Sequence, residues 1–283
     1  MTEFLLSPDR RDELAALLGD DARFRAEYPT VADYLDTAPR LPSSGDDEAD
    51  RAFDVRLLHY MTGGPSDNPY WDIVAPAVTD RAGEATGRVV NGGRDNGSAR
   101  LGYAQTVLQA AYAYAIPSPE TLSWIAEVCE GRRVLEVGAG RGYWADQIAR
   151  GGGDVLAFDS EPPGVHDNMS FPVAAGQPAT WGRVGDLGEL SALRAAGGDG
   201  AGVLLLCWPP GWGNPMASEA LASYRRAGGD RVIYIGEPRG GKTADDAFFE
   251  ALDTEWQLLD QDSNFVAWWN LGDTAQCWRR HSS

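Results

Sequence analysis

Two glycine-rich segments carry residue types that could hold a charged ligand, and they imply different chemistry. The first is Val134-Leu135-Glu136-Val137-Gly138-Ala139-Gly140-Arg141-Gly142-Tyr143. An apolar run ends in glycines at 138, 140 and 142 and then opens a helix-compatible stretch, so bare backbone can pass close beneath a ligand. The spacing is GxGxG, which departs from the GxGxxG of a dinucleotide pyrophosphate site. The second segment is Gly236-Glu237-Pro238-Arg239-Gly240-Gly241-Lys242-Thr243, which satisfies the phosphate-loop pattern GxxxxGK[ST] in full. Its setting argues against phosphate. It follows a late apolar run, and Asp245 and Asp246 put two carboxylates in the first turn of the next helix, where they repel an anion. The second segment therefore reads as a surface loop before an ordinary helix, with Lys242 a surface residue.

The elements that must position these residues change character near Ile116-Pro117-Ser118-Pro119. Before it, apolar residues recur at helical spacing, with Leu5, Leu14, Leu17 and Leu18 on one helix and shorter helices over 31–35 and 53–61. Further helices are expected over 68–78 and 101–114, separated by loops at 43–48 and 91–97. Residues 1–115 form a helical cap in this reading, serving the acceptor side of a site or self-association, and 116–283 form the ligand-binding core. After Pro119 the pattern alternates. Strands are expected over 133–137, 154–158, 181–184, 202–207, 231–235, 256–259 and 275–279, with helices over 121–130, 143–150, 187–195, 217–227 and 245–252. That order predicts an α/β fold with a mostly parallel seven-stranded sheet, whose ligands lie at the carboxyl ends of the strands.

The first glycine segment resembles motif I of the class I S-adenosylmethionine-dependent methyltransferases, and the resemblance covers residues 118 to 280. It implies a Rossmann-like core with S-adenosyl-L-methionine as cofactor, held by Glu136, Gly138, Ala139, Gly140, Gly142 and Tyr143. By the same resemblance Asp159, with Ser160 behind it, ends the second strand where the ribose hydroxyls bind. Gly185 and Asp186 follow the third strand near the adenine amino group, and Cys207 ends the fourth beside the transferred methyl. Trp208, Pro209 and Pro210 then stand where many amino-group methyltransferases carry Asn-Pro-Pro or Asp-Pro-Pro. Tryptophan in place of the polar residue departs from that pattern, although rigid prolines can aim backbone carbonyls and an indole face can hold a cation or ring. Glu136 reads either as a partner for loop amides or as a cofactor ligand, and Tyr143 and Trp144 either as packing or as ligands.

Composition narrows the partners. With 42 acidic residues against 24 basic ones the net charge is −18, which repels phosphate backbones and anionic lipid, so no nucleic-acid or membrane partner is expected. All the basic residues are arginine except Lys242. Cys129, Cys207 and Cys277 are far apart and no histidine flanks them, so neither a disulfide framework nor a metal site is expected. Met1-Thr2-Glu3-Phe4 lacks the basic-then-apolar pattern of a signal peptide, which gives the expectation of a cytoplasmic protein. Trp208, Trp212, Trp268 and Trp269 are candidate walls of an acceptor pocket, with Tyr103, Tyr112 and Tyr114 facing them from the cap. His59 and His166 are candidate bases without supporting spacing. Methyl transfer from a sulfonium needs alignment and exclusion of water more than a catalytic triad. The resemblance thus implies transfer of a methyl group to an N or O atom of a small molecule or peptide. A non-catalytic partner or scaffold of the same fold is the alternative, and the glycine spacing disfavours a nicotinamide oxidoreductase.

Overall fold

A computed structural model of the chain describes residues 4–80, 87–165, 171, 174–195 and 202–281. Its first half is built from short capped helices: α1 (Pro8–Gly19), α2 (Asp21–Glu27), α3 (Pro29–Thr37), α4 (Asp47–Met61) and α5 (Pro69–Val74). Ser7 and Asn68 accept from the free amides of α1 and α5, and proline opens both helices, where its missing N–H costs nothing. Two strands follow, β1 (Val78–Asp80) and β2 (Arg88–Val90), and then α6 (Ala99–Ala111), capped by Ser98. The expected helix over 68–78 therefore stops at Val74 and gives way to a 3-10 turn over Ala75–Ala77 and a strand. Pro76 accounts for this, since its ring clashes with the carbonyl one helical turn earlier.

The second half alternates as the sequence predicts. It runs α7 (Pro119–Cys129), β3 (Val134–Val137), α8 (Tyr143–Arg150), β4 (Val155–Asp159), β5 (Val184–Asp186), α9 (Leu187–Ala195) and β6 (Val203–Cys207). Then come α10 (Met216–Arg226), β7 (Arg231–Gly236), α11 (Asp246–Glu255), β8 (Trp256–Gln261), β9 (Val266–Trp268) and β10 (Thr274–Arg280). Seven strands form one sheet in the order β5-β4-β3-β6-β7-β10-β8. The pairs from β5 through β7 are parallel, and β10 enters antiparallel between β7 and β8. β9 leaves this sheet and pairs parallel with β2, with Val89 opposite Ala267, so a three-stranded sheet stitches the first half to the second. The expected strand at 181–184 begins only at Val184, because Trp181 packs between Tyr112 and Tyr143 with its amide on the Arg141 carbonyl.

Both faces of the large sheet are covered, so its central strands are mainly apolar, with Glu136 of β3 a buried exception. On β6, Leu205 faces one apolar cluster, which it shares with Tyr34, Leu57, Ile73 and Leu108 of the first half. Leu204 and Leu206 face the other, under Leu221 and Tyr224 of α10 and Phe248 and Leu252 of α11. One buried cluster therefore runs continuously from the N-terminal helices to the sheet. Among the described residues no helix is long and apolar enough to cross a membrane.

Candidate active site

The carboxyl ends of β3, β4 and β6 open on a cavity of about 820 Å³, within the range of small-molecule sites. Its floor is the loop that joins β3 to α8. Gly138, Gly140 and Gly142 all have left-handed backbone, at φ 79°, 54° and 77°, which side chains other than glycine adopt at a cost. At Gly142 a Cβ would also stand 2.9 Å from Val184 Cγ2, so the loop can pass under β5 only without a side chain there. Gly138 and Ala139 reach the cavity wall, whereas Gly140 and Gly142 serve the turn beneath it.

Glu136, the third residue of β3, lines the cavity just before this loop. Its side chain is 2% exposed, and Oε2 has no hydrogen-bond partner among the described residues. Burial pushes the carboxyl up to about 8, opposed by a hydrogen bond from the Ala145 amide and reinforced by the neighbouring charge of Asp159. An unsatisfied carboxylate oxygen at this depth is costly unless a ligand supplies an N–H donor or positive charge. Asp159, Glu161 and Glu219 line the same cavity, so a cationic ligand fits the residues present.

Asp159 ends β4 at the cavity, as the motif spacing places it, and it also has a structural task. Its Oδ2 accepts from the Gly140 amide at 2.8 Å and its Oδ1 from the Glu161 amide at 2.8 Å. Each oxygen can still accept a second hydrogen bond. Ser160 lines the wall beside it. Gly185 and Asp186 stand off the wall: Asp186 is exposed and its Oδ1 accepts from the Glu189 amide, capping α9. Leu187 and Leu190 of α9 supply the apolar surface at that end instead. Cys207 lines the cavity with a thiol that burial pushes well up, so it acts as packing.

The loop after β6 closes the other end. Trp208 has φ 53° and donates from Nε1 to Asp273 Oδ2 at 2.9 Å. Its indole stacks on Tyr114 at 4.9 Å between ring centroids and 12° between planes. Tyr112 and Tyr114, just past α6, both line the cavity. The cap thus meets Trp208 through Tyr114 from beyond the helix end, while Tyr103 points away to Asp33 and Tyr34. Pro210 is on the wall, but Pro209 is not, and its carbonyl accepts the Ala244 amide at 3.0 Å. The proline carbonyl expected to aim at an acceptor is therefore committed to the neighbouring loop.

That neighbouring loop is the one with the phosphate-loop pattern, and its amides are occupied from within. Glu237 accepts from the Lys242 amide at 2.6 Å and the Gly272 amide at 3.2 Å. Thr243 is buried, accepting from the Glu237 amide at 2.8 Å and bonding the Tyr234 hydroxyl at 2.7 Å. A carboxylate thus sits where a phosphate would need to sit. Lys242 is exposed, as expected of a surface residue, but it also stands at the rim of the cavity, whose lining includes it with Trp208, Pro210 and Trp212.

Arg141 is a positioning residue beneath the site that sequence reasoning missed. It is buried within the glycine loop and donates to the carbonyls of Ala110 at 2.6 Å, Ala111 at 2.5 Å and Pro178 at 3.3 Å. It caps the carboxyl end of α6, where a cation is favoured, and so ties that helix to the glycine loop. Tyr143 makes the same junction. Its hydroxyl donates to Asn68 Oδ1 at 2.9 Å and accepts from the Tyr70 amide at 3.2 Å, while its ring lines the cavity. Trp268 and Trp269 are not on the wall: Trp268 bonds the Tyr70 hydroxyl in the core, and Trp269 packs against Gly97. His59 is also elsewhere, accepting from Arg10 at 3.1 Å, with burial and that guanidinium holding its pKa low. His166 lies outside the described residues.

No protein-family model and no curated protein matches the chain. Among solved structures it is similar to a provisionally assigned O-methyltransferase of Klebsiella pneumoniae, with 14% identity over 63% of this chain and 87% of that one at a TM-score of 0.41. It is also similar to the magnesium protoporphyrin IX methyltransferase of Synechocystis PCC 6803 with bound SAH, at 13% identity over 64% and 85% of the two chains and a TM-score of 0.34. MtNAS in complex with MTA and tNA aligns over 99% of this chain and 100% of its own, at 12% identity and a TM-score of 0.36. These likenesses are distant, and the strand order carries the conclusion. Numbered within the large sheet, its strands run 3-2-1-4-5-7-6 with only the seventh antiparallel, and the glycine loop follows the first. By this topology the chain has the class I methyltransferase-like fold, a Rossmann-like sheet preceded by a mainly helical cap.

Proposed function

We propose that this protein is an S-adenosylmethionine-dependent methyltransferase acting on an N or O atom of a small molecule or peptide. The observation that carries the reading is the orphaned, buried Oε2 of Glu136 beside the glycine loop at the end of β3. A ligand with an ammonium group satisfies that oxygen, and the glycine loop gives its chain a bare backbone to lie on. Asp159 and Ser160 supply acceptors for ribose hydroxyls, and Leu187 and Leu190 supply an apolar face for a base. When bound, S-adenosylmethionine supplies a methyl group already activated by its sulfonium.

The chain's own residues then have three tasks. Glu136 and Asp159 bind and orient the cofactor while holding the glycine loop in register. Tyr112, Tyr114 and Trp208 exclude water from the end of the cavity where an acceptor enters. The junction made by Arg141 and Tyr143 keeps the cap seated, so acceptor and methyl can be held in near-attack geometry. Calorimetry with S-adenosylmethionine, S-adenosylhomocysteine, NAD and ATP tests the reading. Binding of the first two, weakened in Glu136→Gln, is expected. Tight binding of NAD or ATP without S-adenosylhomocysteine would overturn it.

A further inference from the structure

We infer that the acceptor is an aromatic carboxylate whose anionic group pairs with Lys242; this rests on the methyltransferase reading and names its substrate class. Lys242 is the single lysine of the chain and, among the described residues, the one basic residue lining the cavity, which otherwise carries Glu136, Asp159, Glu161 and Glu219. The ion pairs among the described residues are all made by arginine, and Lys242 enters none of them. Its backbone is fixed all the same. Glu237 holds its amide at 2.6 Å, Thr243 bridges to Pro210, and the Lys242 carbonyl lies so close to Gly211 that a Cβ there would be 2.4 Å away. The loops after β6 and β7 are thereby zipped together, and Lys242 is held beside Trp208 and Trp212.

The two tryptophans complete the site. Both have left-handed backbone, φ 53° and 52°, a strained state for bulky residues that clusters at functional sites. Trp212 is 83% exposed, an unusual setting for an indole with no packing task. An exposed indole, a stacked Tyr114–Trp208 pair and one unpaired ammonium together recognise a flat ring bearing one negative charge. Elsewhere on this acidic wall an anion is repelled, so Lys242 also fixes which way round the acceptor enters.

The test uses the protein saturated with S-adenosylhomocysteine and the probes benzoate, phenylacetate and indole-3-acetate, each against its neutral amide, read by tryptophan quenching and calorimetry. At least one acid is expected to bind about tenfold more tightly than its amide. Lys242→Met should bring that ratio within about twofold, and Lys242→Arg should keep it, with the affinity for S-adenosylhomocysteine unchanged in both. Equal binding of acids and amides, a ratio that survives Lys242→Met, or no binding by any probe at millimolar concentration would overturn the inference. So would loss of S-adenosylhomocysteine binding in Lys242→Met, which would assign the lysine to the cofactor's carboxylate. Failure of the wild type to bind S-adenosylhomocysteine would overturn the methyltransferase reading instead, and the acid–amide comparison without it would still decide the role of Lys242.

Discussion

If S-adenosylmethionine binds at Glu136 as proposed, its binding is a proton-release reaction, and the size of the effect follows from the environment of this residue. Burial raises its carboxyl to about 8, Asp159 from β4 adds to the rise, the Ala145 amide from α8 opposes it, and the raised Cys207 thiol faces it from β6. A ligand ammonium binds the ionised form, so the free protein must first lose a proton. At pH 6 only about one molecule in a hundred is ionised, and at pH 8 about half are, so the apparent Kd should tighten about fiftyfold between them, or about 2.3 kcal/mol. Above pH 8 the curve should flatten. Calorimetry of S-adenosylhomocysteine in buffers of different ionisation enthalpy should count close to one proton released per ligand near pH 6. Glu136→Gln should bind more weakly at pH 8 and lose the slope. Stability carries the opposite sign. The folded state keeps a proton that the unfolded chain releases, so this residue's contribution is full below about pH 4.5 and is lost as pH rises through about 8. Glu136→Gln should melt higher than wild type at pH 8. A flat Kd across pH 6 to 8 in the wild type, or the same slope in Glu136→Gln, would refute the reasoning.

Asp159→Ala should weaken S-adenosylhomocysteine binding tenfold or more in calorimetry, because charge-assisted hydrogen bonds are worth about 1.5–3 kcal/mol each. It should also lower Tm by several degrees, since the same carboxylate holds the Gly140 and Glu161 amides. Arg141→Met should destabilise the protein by about 2–4 kcal/mol in urea, because buried carbonyls at the end of α6 lose their donor. Unchanged unfolding would show that the cap does not depend on this side chain. Trp208→Ala should leave the affinity for S-adenosylhomocysteine within about threefold, because the indole stands at the acceptor end, while the quenching produced by aryl carboxylates falls. A large loss of cofactor affinity would move Trp208 out of the acceptor wall.

The parts of this fold that were legible in the sequence are those whose signal is local. Apolar runs such as Leu204-Leu205-Leu206 declare strands buried on both faces, and Ser118-Pro119 declares the start of α7. The glycine loop, Glu136 and Asp159 were legible for the same reason, each standing at a strand end. The three-stranded sheet was not. Its strands are three residues long, too short for alternation to register, and β2 finds β9 only after a long stretch of intervening chain. Arg141 hid differently. An arginine between two glycines reads as solvated, and only the fold brings the end of α6 against it, with carbonyls that leave no mark on sequence.

The two glycine-rich loops show what a pattern leaves out. A phosphate loop works through amides left free to converge on an anion. In the loop after β7 the spacing of glycine, lysine and threonine is correct, but Glu237, itself inside the pattern, turns its carboxylate onto the Lys242 amide. Thr243 is spent on Tyr234 and the Glu237 amide. The anion site is filled by the chain's own charge. At the end of β3 the balance is reversed, because Asp159 accepts the Gly140 amide of the following loop while the buried Oε2 of Glu136 has no partner among the described residues. A loop whose donors are satisfied and whose buried acceptor is not selects for a cation. The letters of the two motifs do not contain that difference; it follows from where each carboxylate falls relative to its strand end.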